Sequence, residues 1–153
     1  MLRILLLASA IASVVFVVPV RAEKPSMSVA ELQKTATHVV TGQVTAIYQQ
    51  TEVEGNWKYT RCVAEIRVSQ CEKGDGLKPA DLVYVRYWHR GWTGKDPVPP
   101  STSGHRGLPA KNEFVRVYLA RNAYDGFSDD NNDGGYNVIG ADGFEKLKQA
   151  TGK

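Results

Sequence analysis

The run from Trp57 to Val68 alternates through its whole length. Cys62, Ala64, Ile66 and Val68 fall on one face, and Trp57, Tyr59, Arg61, Val63, Glu65 and Arg67 on the other. A period of two belongs to a strand, and a strand this long needs partners. The sequence supplies them. Asp81 to Trp88 sets Val83, Val85 and Tyr87 against Leu82, Tyr84, Arg86 and Trp88. Val39 to Tyr48 sets Val40, Gly42, Val44 and Ala46 against Thr41, Gln43 and Thr45, with Gly42 marking a bulge or a close backbone approach. Glu113 to Ala120 turns Val115, Val117 and Leu119 inward, and Tyr136 to Ile139 makes a short fifth strand. The chain is expected to be all-β.

Helices are confined to the flanks. Ser28 and Glu31 have capping-box spacing, which predicts a short helix from Val29 to about Lys34. Phe144 to Ala150 is expected to form a terminal helical turn, with Phe144 and Leu147 on one side. Between strands, Gln49 to Asn56 reads as a polar loop, and Lys73 to Gly76 and Pro79-Ala80 as turns. His89 to Asn112 holds Gly91, Gly94, Pro97, Pro99, Pro100, Gly104, Gly107 and Pro109, so it cannot be helical through most of its length. A loop of that size in a compact domain is functional or partly disordered.

The first residues bear on compartment. Met1-Leu2-Arg3 is a short basic start, Ile4 to Val20 is mostly apolar, and Val20-Arg21-Ala22 offers a cleavage site. Residues 1–22 are therefore expected to be a secretory signal peptide. The apolar run falls short of a membrane span and Pro19 interrupts it, so no membrane attachment is expected after cleavage. Cleavage would leave 131 of the 153 residues, 23–153, as a single domain that is periplasmic or extracellular. It would also remove Arg3 and Arg21, taking the formal charge from +3 to near +1. That is no nucleic-acid footprint, and no nucleic-acid partner is expected.

An oxidising compartment makes Cys62 and Cys71 a candidate disulfide. Strand geometry opposes it. From Cys62 to Val68 alone an extended chain spans roughly 20 Å, whereas a bridge needs Cα atoms about 4.4–6.8 Å apart. Cys62 is expected in the core and Cys71 at a strand end, both unpaired.

Five strands, with the irregular segment between the third and fourth, match a small five-stranded OB-like Greek-key barrel, which often carries a helix at that place. An open β-sandwich is the alternative. No local signal gives the strand order. Thr37-His-Val-Val-Thr-Gly-Gln-Val-Thr-Ala-Ile47, then a long second strand, a Lys-Gly turn and Leu77-Lys-Pro-Ala-Asp-Leu-Val-Tyr-Val85, resembles secreted OB-fold domains of the tissue-inhibitor-of-metalloproteinase, or netrin-like, type. The resemblance covers roughly residues 28–139 and implies an exported OB-fold domain like those of uncharacterised bacterial proteins. Animal inhibitors of that family insert an N-terminal Cys-x-Cys segment into a protease's metal site. The expected mature start, Glu23-Lys-Pro-Ser-Met-Ser28, has no Cys, so protease inhibition is not carried over.

Candidate sites are few. Trp57, Tyr59 and Arg61 share the outward parity of one strand, and Tyr84, Arg86 and Trp88 that of another. On paired strands they would form an aromatic platform where OB-folds bind oligosaccharides or oligonucleotides. Rings stack on sugars and Arg supplies donors. Cross-strand aromatic pairing accounts for the same six residues without any ligand, at about 0.2–1 kcal/mol per pair. Asp129, Asn131, Asp133 and Gly134 follow the start of a calcium loop, but Gly140 stands where a bidentate Glu is required, and a solvated turn explains the same residues. No other cofactor is suggested. His38, His89 and His105 have no metal-pair spacing. His105 with Ser101 or Ser103 is the one arrangement a hydrolase could use, and it lacks a Gly-x-Ser-x-Gly elbow. The expectation is a non-catalytic binding module for a glycan or protein surface. A small hydrolase and a structural envelope component are the alternatives.

Overall fold

The computed structural model describes residues 24–98, 104–121 and 135–148. The segments holding Ser101 and Ser103, Asp129 to Gly134 and the expected signal peptide lie outside the described residues. Among the described residues one short helix, α1 (Val29–Thr35), precedes six strands: β1 (His38–Glu54), β2 (Trp57–Lys73), β3 (Leu82–Trp92), β4 (Phe114–Arg121), β5 (Tyr136–Val138) and β6 (Phe144–Leu147).

The Ser28 hydroxyl accepts the Glu31 N–H at 3.3 Å, and the Glu31 carboxylate accepts the Ser28 N–H at 2.7 Å. This capping box starts α1 where the sequence places it. Three strands differ from expectation in length. One of them, β3, runs past Trp88 to Trp92 into the segment expected as a loop, because His89 through Trp92 pair with Thr60 through Trp57. Gln49–Glu54 is not a loop: it continues β1, and Gly55-Asn56 alone reverses the chain. Gly55 has a φ of +58°, the conformation a type II′ hairpin wants at its first central residue. β2 likewise runs on past Val68 to Lys73. The expected terminal helix at Phe144 is a strand, β6, because Phe144 through Leu147 pair with Val117 through Phe114. Among the described residues there is no helix between β3 and β4.

The topology answers what the sequence left open. Neighbours run β1-β2-β3-β5-β4, and β4 returns beside β1, so five strands close in a barrel-like ring with β6 on the far edge of β4. Placing the fourth strand beside the first is the Greek-key step, and it replaces the sandwich alternative. The junction of β3 with β5 is parallel and brief, Val85↔Tyr136 and Arg86↔Asn137. Gly42 lies at a register shift between β1 and β2, and a Cβ there would strike the Arg67 carbonyl and the Ile66 side chain. Both readings of that glycine hold.

The ring encloses Val40, Val44, Ala64, Ile66, Val68, Val85, Val115, Val117, Leu119 and Val138, all buried. Cys62 joins them, and burial pushes its thiol above the usual range. Cys71 sits half-buried at the end of β2, and both thiols are free. A second cluster (Leu32, Ala36, Val39, Tyr118 and Ile139) seats α1 against the ring.

Candidate functional site

The outward faces of β1, β2 and β3 form one surface. Register sets its rows: Glu54–Trp57–Trp92, Glu52–Tyr59–Arg90, Gln50–Arg61–Trp88, Tyr48–Val63–Arg86 and Ala46–Glu65–Tyr84. The six residues singled out from parity do share this surface. They do not form one platform.

At the hairpin end the rings are turned on each other. Trp57 meets Trp92 edge-to-face at 5.0 Å. The Arg90 guanidinium lies 4.2 Å from the centre of Trp57 and 5.9 Å from that of Tyr59, and donates to the Tyr59 hydroxyl at 3.4 Å. Trp92 Nε1 donates to the Asp96 carbonyl at 2.8 Å. Tyr59 is buried by this stack.

Trp88 is also covered, at 5% exposure. Gly104 crosses its ring, with a φ of +86°, and a Cβ there would lie 2.7 Å from the ring. The expected stacking role therefore fails for Tyr59 and Trp88, because the surface consumes both rings as packing. Tyr84 is half exposed, and its hydroxyl is engaged by Glu65. Hydrogen bonds from Thr45 and Tyr84 hold the Glu65 carboxyl below its usual range, and the Tyr84 phenol is correspondingly raised.

The open ground lies between these two ends. A cleft of about 360 Å³ is lined by Tyr48, Gln50, Arg61, Val63 and Arg86, with Gln49, Cys62 and Tyr87 between them. Its form follows from the register. Gln49, Cys62 and Tyr87 are themselves a cross-strand row through the middle of the cleft, with Cys62 and Tyr87 buried and Gln49 exposed. The rows Gln50–Arg61–Trp88 and Tyr48–Val63–Arg86 are the walls, and the cleft runs across the strands.

Arg61 is tied to Glu52 at 3.2 Å, a half-exposed pair of small energetic weight. Gly135, at the entry to β5, packs on the Arg86 guanidinium, where a Cβ would come within 2.8 Å. Tyr48 is 56% exposed. Arg61 and Arg86 were legible in the sequence as candidates; Tyr48, Gln50 and Val63 were not. The missed signal is Gly55-Asn56, a two-residue hairpin turn that extends the alternation of β1 to Glu54.

His105 has another role. Its Nε2 lies 3.0 Å from the Val138 carbonyl, and its Nδ1 lies 3.1 Å from the Trp88 N–H and 2.9 Å from the Trp88 carbonyl. A neutral ring with its proton on Nε2 donates to β5 and accepts from β3. The imidazole thus bridges the two strands just beyond their short parallel ladder. Burial lowers its pKa to about 4. Neither ring nitrogen is open to a serine. His38 is held by the Thr37 hydroxyl at 3.0 Å and lies 3.1 Å from the Asp75 carbonyl. Burial, and then Lys58, lower the pKa of His89. Among the described residues no three His, Cys, Asp or Glu side chains converge as metal ligands. No family model matches the chain, and no curated protein or solved structure matches it either.

Proposed function

We propose that this protein is an exported, non-catalytic binding module that takes an oligosaccharide in the transverse cleft on β1–β3. The observation that carries the reading is the composition of that cleft. An exposed tyrosine ring stands among two amide-bearing and two guanidinium-bearing residues. Such a set suits a sugar: the ring offers an apolar face for C–H groups, and the amide and guanidinium groups direct hydrogen bonds at hydroxyls. The volume lies at the lower end of small-ligand sites, room for a short stretch of chain. Glu52 on Arg61 offsets part of the positive charge, which favours a neutral or weakly acidic sugar over a polyanion. Export rests on the leader-like first 22 residues. The likeness to netrin-like domains supports a binding role without carrying over inhibition.

A glycan array spanning neutral and uronic-acid oligosaccharides tests the reading, followed by titration calorimetry on any hit. Tyr48→Ala is expected to weaken binding by about 1–3 kcal/mol, the scale of a lost stacking ring, and to leave the melting temperature nearly unchanged. Trp57→Ala, in the closed stack, is expected to keep binding. A chain that binds no glycan, or binds equally well without Tyr48, is not the module proposed.

A further inference from the structure

β1 is longer than the ring requires. β4 pairs with it only from His38 to Gln43, and main-chain bonds between Val44 and Asn112–Glu113 end that contact. From there to Glu54, β1 has only β2 beside it among the described residues. The register runs without a shift from Ala46↔Glu65 to Glu54↔Trp57. The open edge is therefore regular for nine residues, about 30 Å at about 3.4 Å each. Proteins usually blunt such an edge with proline, lysine or a bulge. Ala46 to Glu54 has no proline, no lysine and no register shift. Its only charges are Glu52 and Glu54, near the hairpin tip, and Val53 there is 67% exposed.

We infer that this edge pairs with the same edge of a second copy, antiparallel, about a two-fold axis at Gln50. Length and charge select that axis. Centred on Gln50, Ala46 meets Glu54 of the second copy, so all nine residues pair and neither hairpin tip overruns into β4. An axis at Tyr48 would drive Glu54 onto the edge beside Gly42, which β4 already occupies. An axis at Glu52 would set the two Glu52 carboxylates directly opposite each other, which is destabilising.

With the axis at Gln50, Glu52 faces Tyr48, Glu54 faces Ala46, and exposed Val53 faces Ile47. Pairs facing each other share parity, so both outer faces lie on the same side of the joined sheet. The order becomes β3-β2-β1-β1-β2-β3, with the two clefts side by side and the Gln50 side chains between them. This is a closed isologous contact that needs no second surface. It stands on the geometry of β1 and does not depend on what the cleft binds.

Light scattering from micromolar to near-millimolar protein is expected to show a monomer–dimer equilibrium. Gln50→Lys and Gln50→Glu each place like charges at the axis and are expected to be monomeric alone. Mixed together they are expected to form a one-to-one dimer, and circular dichroism checks that each is folded. In a Cys71→Ser background, Gln50→Cys is expected to cross-link two copies on oxidation. Glu52→Cys is not, since its counterpart lies about 14 Å along the strand. A chain monomeric throughout, as it would be if the edge served a peptide of another protein, overturns the proposal. So does a dimer indifferent to both Gln50 charges, or one that cross-links through Glu52→Cys and not Gln50→Cys.

Discussion

His105 shows how one side chain can stand in for backbone. The parallel contact of β3 with β5 is brief, and the imidazole carries on the bridging from Trp88 to Val138. It does so as a neutral ring, so acid acts against the fold. Below about pH 6.5 the unfolded chain binds a proton at this ring that the folded chain refuses until about pH 4. Stability is therefore full above pH 6.5 and falls as pH drops, by about 1.4 kcal/mol per unit and about 3 kcal/mol in all. The depressed His89 acts in the same direction. Glu31, Glu65, Glu113 and Asp142, all lowered, come into play only under more acid conditions. Urea melts between pH 8 and 5 are expected to show the slope in the native chain and a flatter one in His105→Asn, which is also weaker at pH 8. A parallel slope in both chains would take the effect away from His105. Two aromatic residues, Trp88 and Tyr48, separate in the same assay. Trp88, sealed under Gly104, is expected to cost about 3–5 kcal/mol on truncation to Ala. Tyr48, half in water, is expected to stay within about 0.5 kcal/mol.

At the scale of elements, period-two alternation marks which residues face the core, because burying one face of a sheet is a local demand on sequence. β1 to β5 were legible for that reason, and so were the parity of Arg61 and Arg86 and the bulge at Gly42. Ala46 was not, because a further register shift between Val44 and Ala46 turns it outward and brings Ile47 inward in its place. Which outward residues stay open is not a local property. Tyr59 and Trp88 have the same parity as Arg61 and Arg86, yet Arg90 and Gly104, brought in by register and by the long loop, take them out of reach. β6 was illegible because four residues carry too little pattern to outweigh a helical reading, and pairing with β4 decides it. The β1–β2 hairpin turn can be checked directly. Gly55 at a φ of +58° has open space where a Cβ would go, so Gly55→Ala is strained only by its backbone. It is expected to lower stability by about 1 kcal/mol and to leave the core amides protected from hydrogen exchange. Loss of protection across all of β2 would mean the tip governs the register of the whole pair.

For the molecule as a whole, the ring leaves β5 and its following turn to be closed by the N-terminal segment. Lys24 is buried and its Nζ donates to the Val138 carbonyl at 3.2 Å. The Pro25 carbonyl accepts the Ala141 N–H at 2.8 Å. Ser26 donates to Asp142 at 2.9 Å, and Arg106 reaches both of them. Residues 24–26 thus lie between the expected cleavage site and α1 as working parts of the fold. Processing after Ala22 preserves every one of these contacts; processing a few residues later does not. Mass spectrometry of exported protein is expected to find Glu23 as the first residue, and an intact Met1 in a membrane fraction would replace export with anchoring. A chain begun at Glu23 is expected to melt as one cooperative unit. A chain begun at Val29 loses the Lys24, Pro25 and Ser26 contacts and the Ser28 cap, which alone is worth about 1 kcal/mol. Its melting temperature is expected to fall by several degrees, with the β5–Ala141 amides exchanging first. Equal melting of the two chains would make residues 24–28 a passive leader remnant, and the buried Lys24 would then need another explanation.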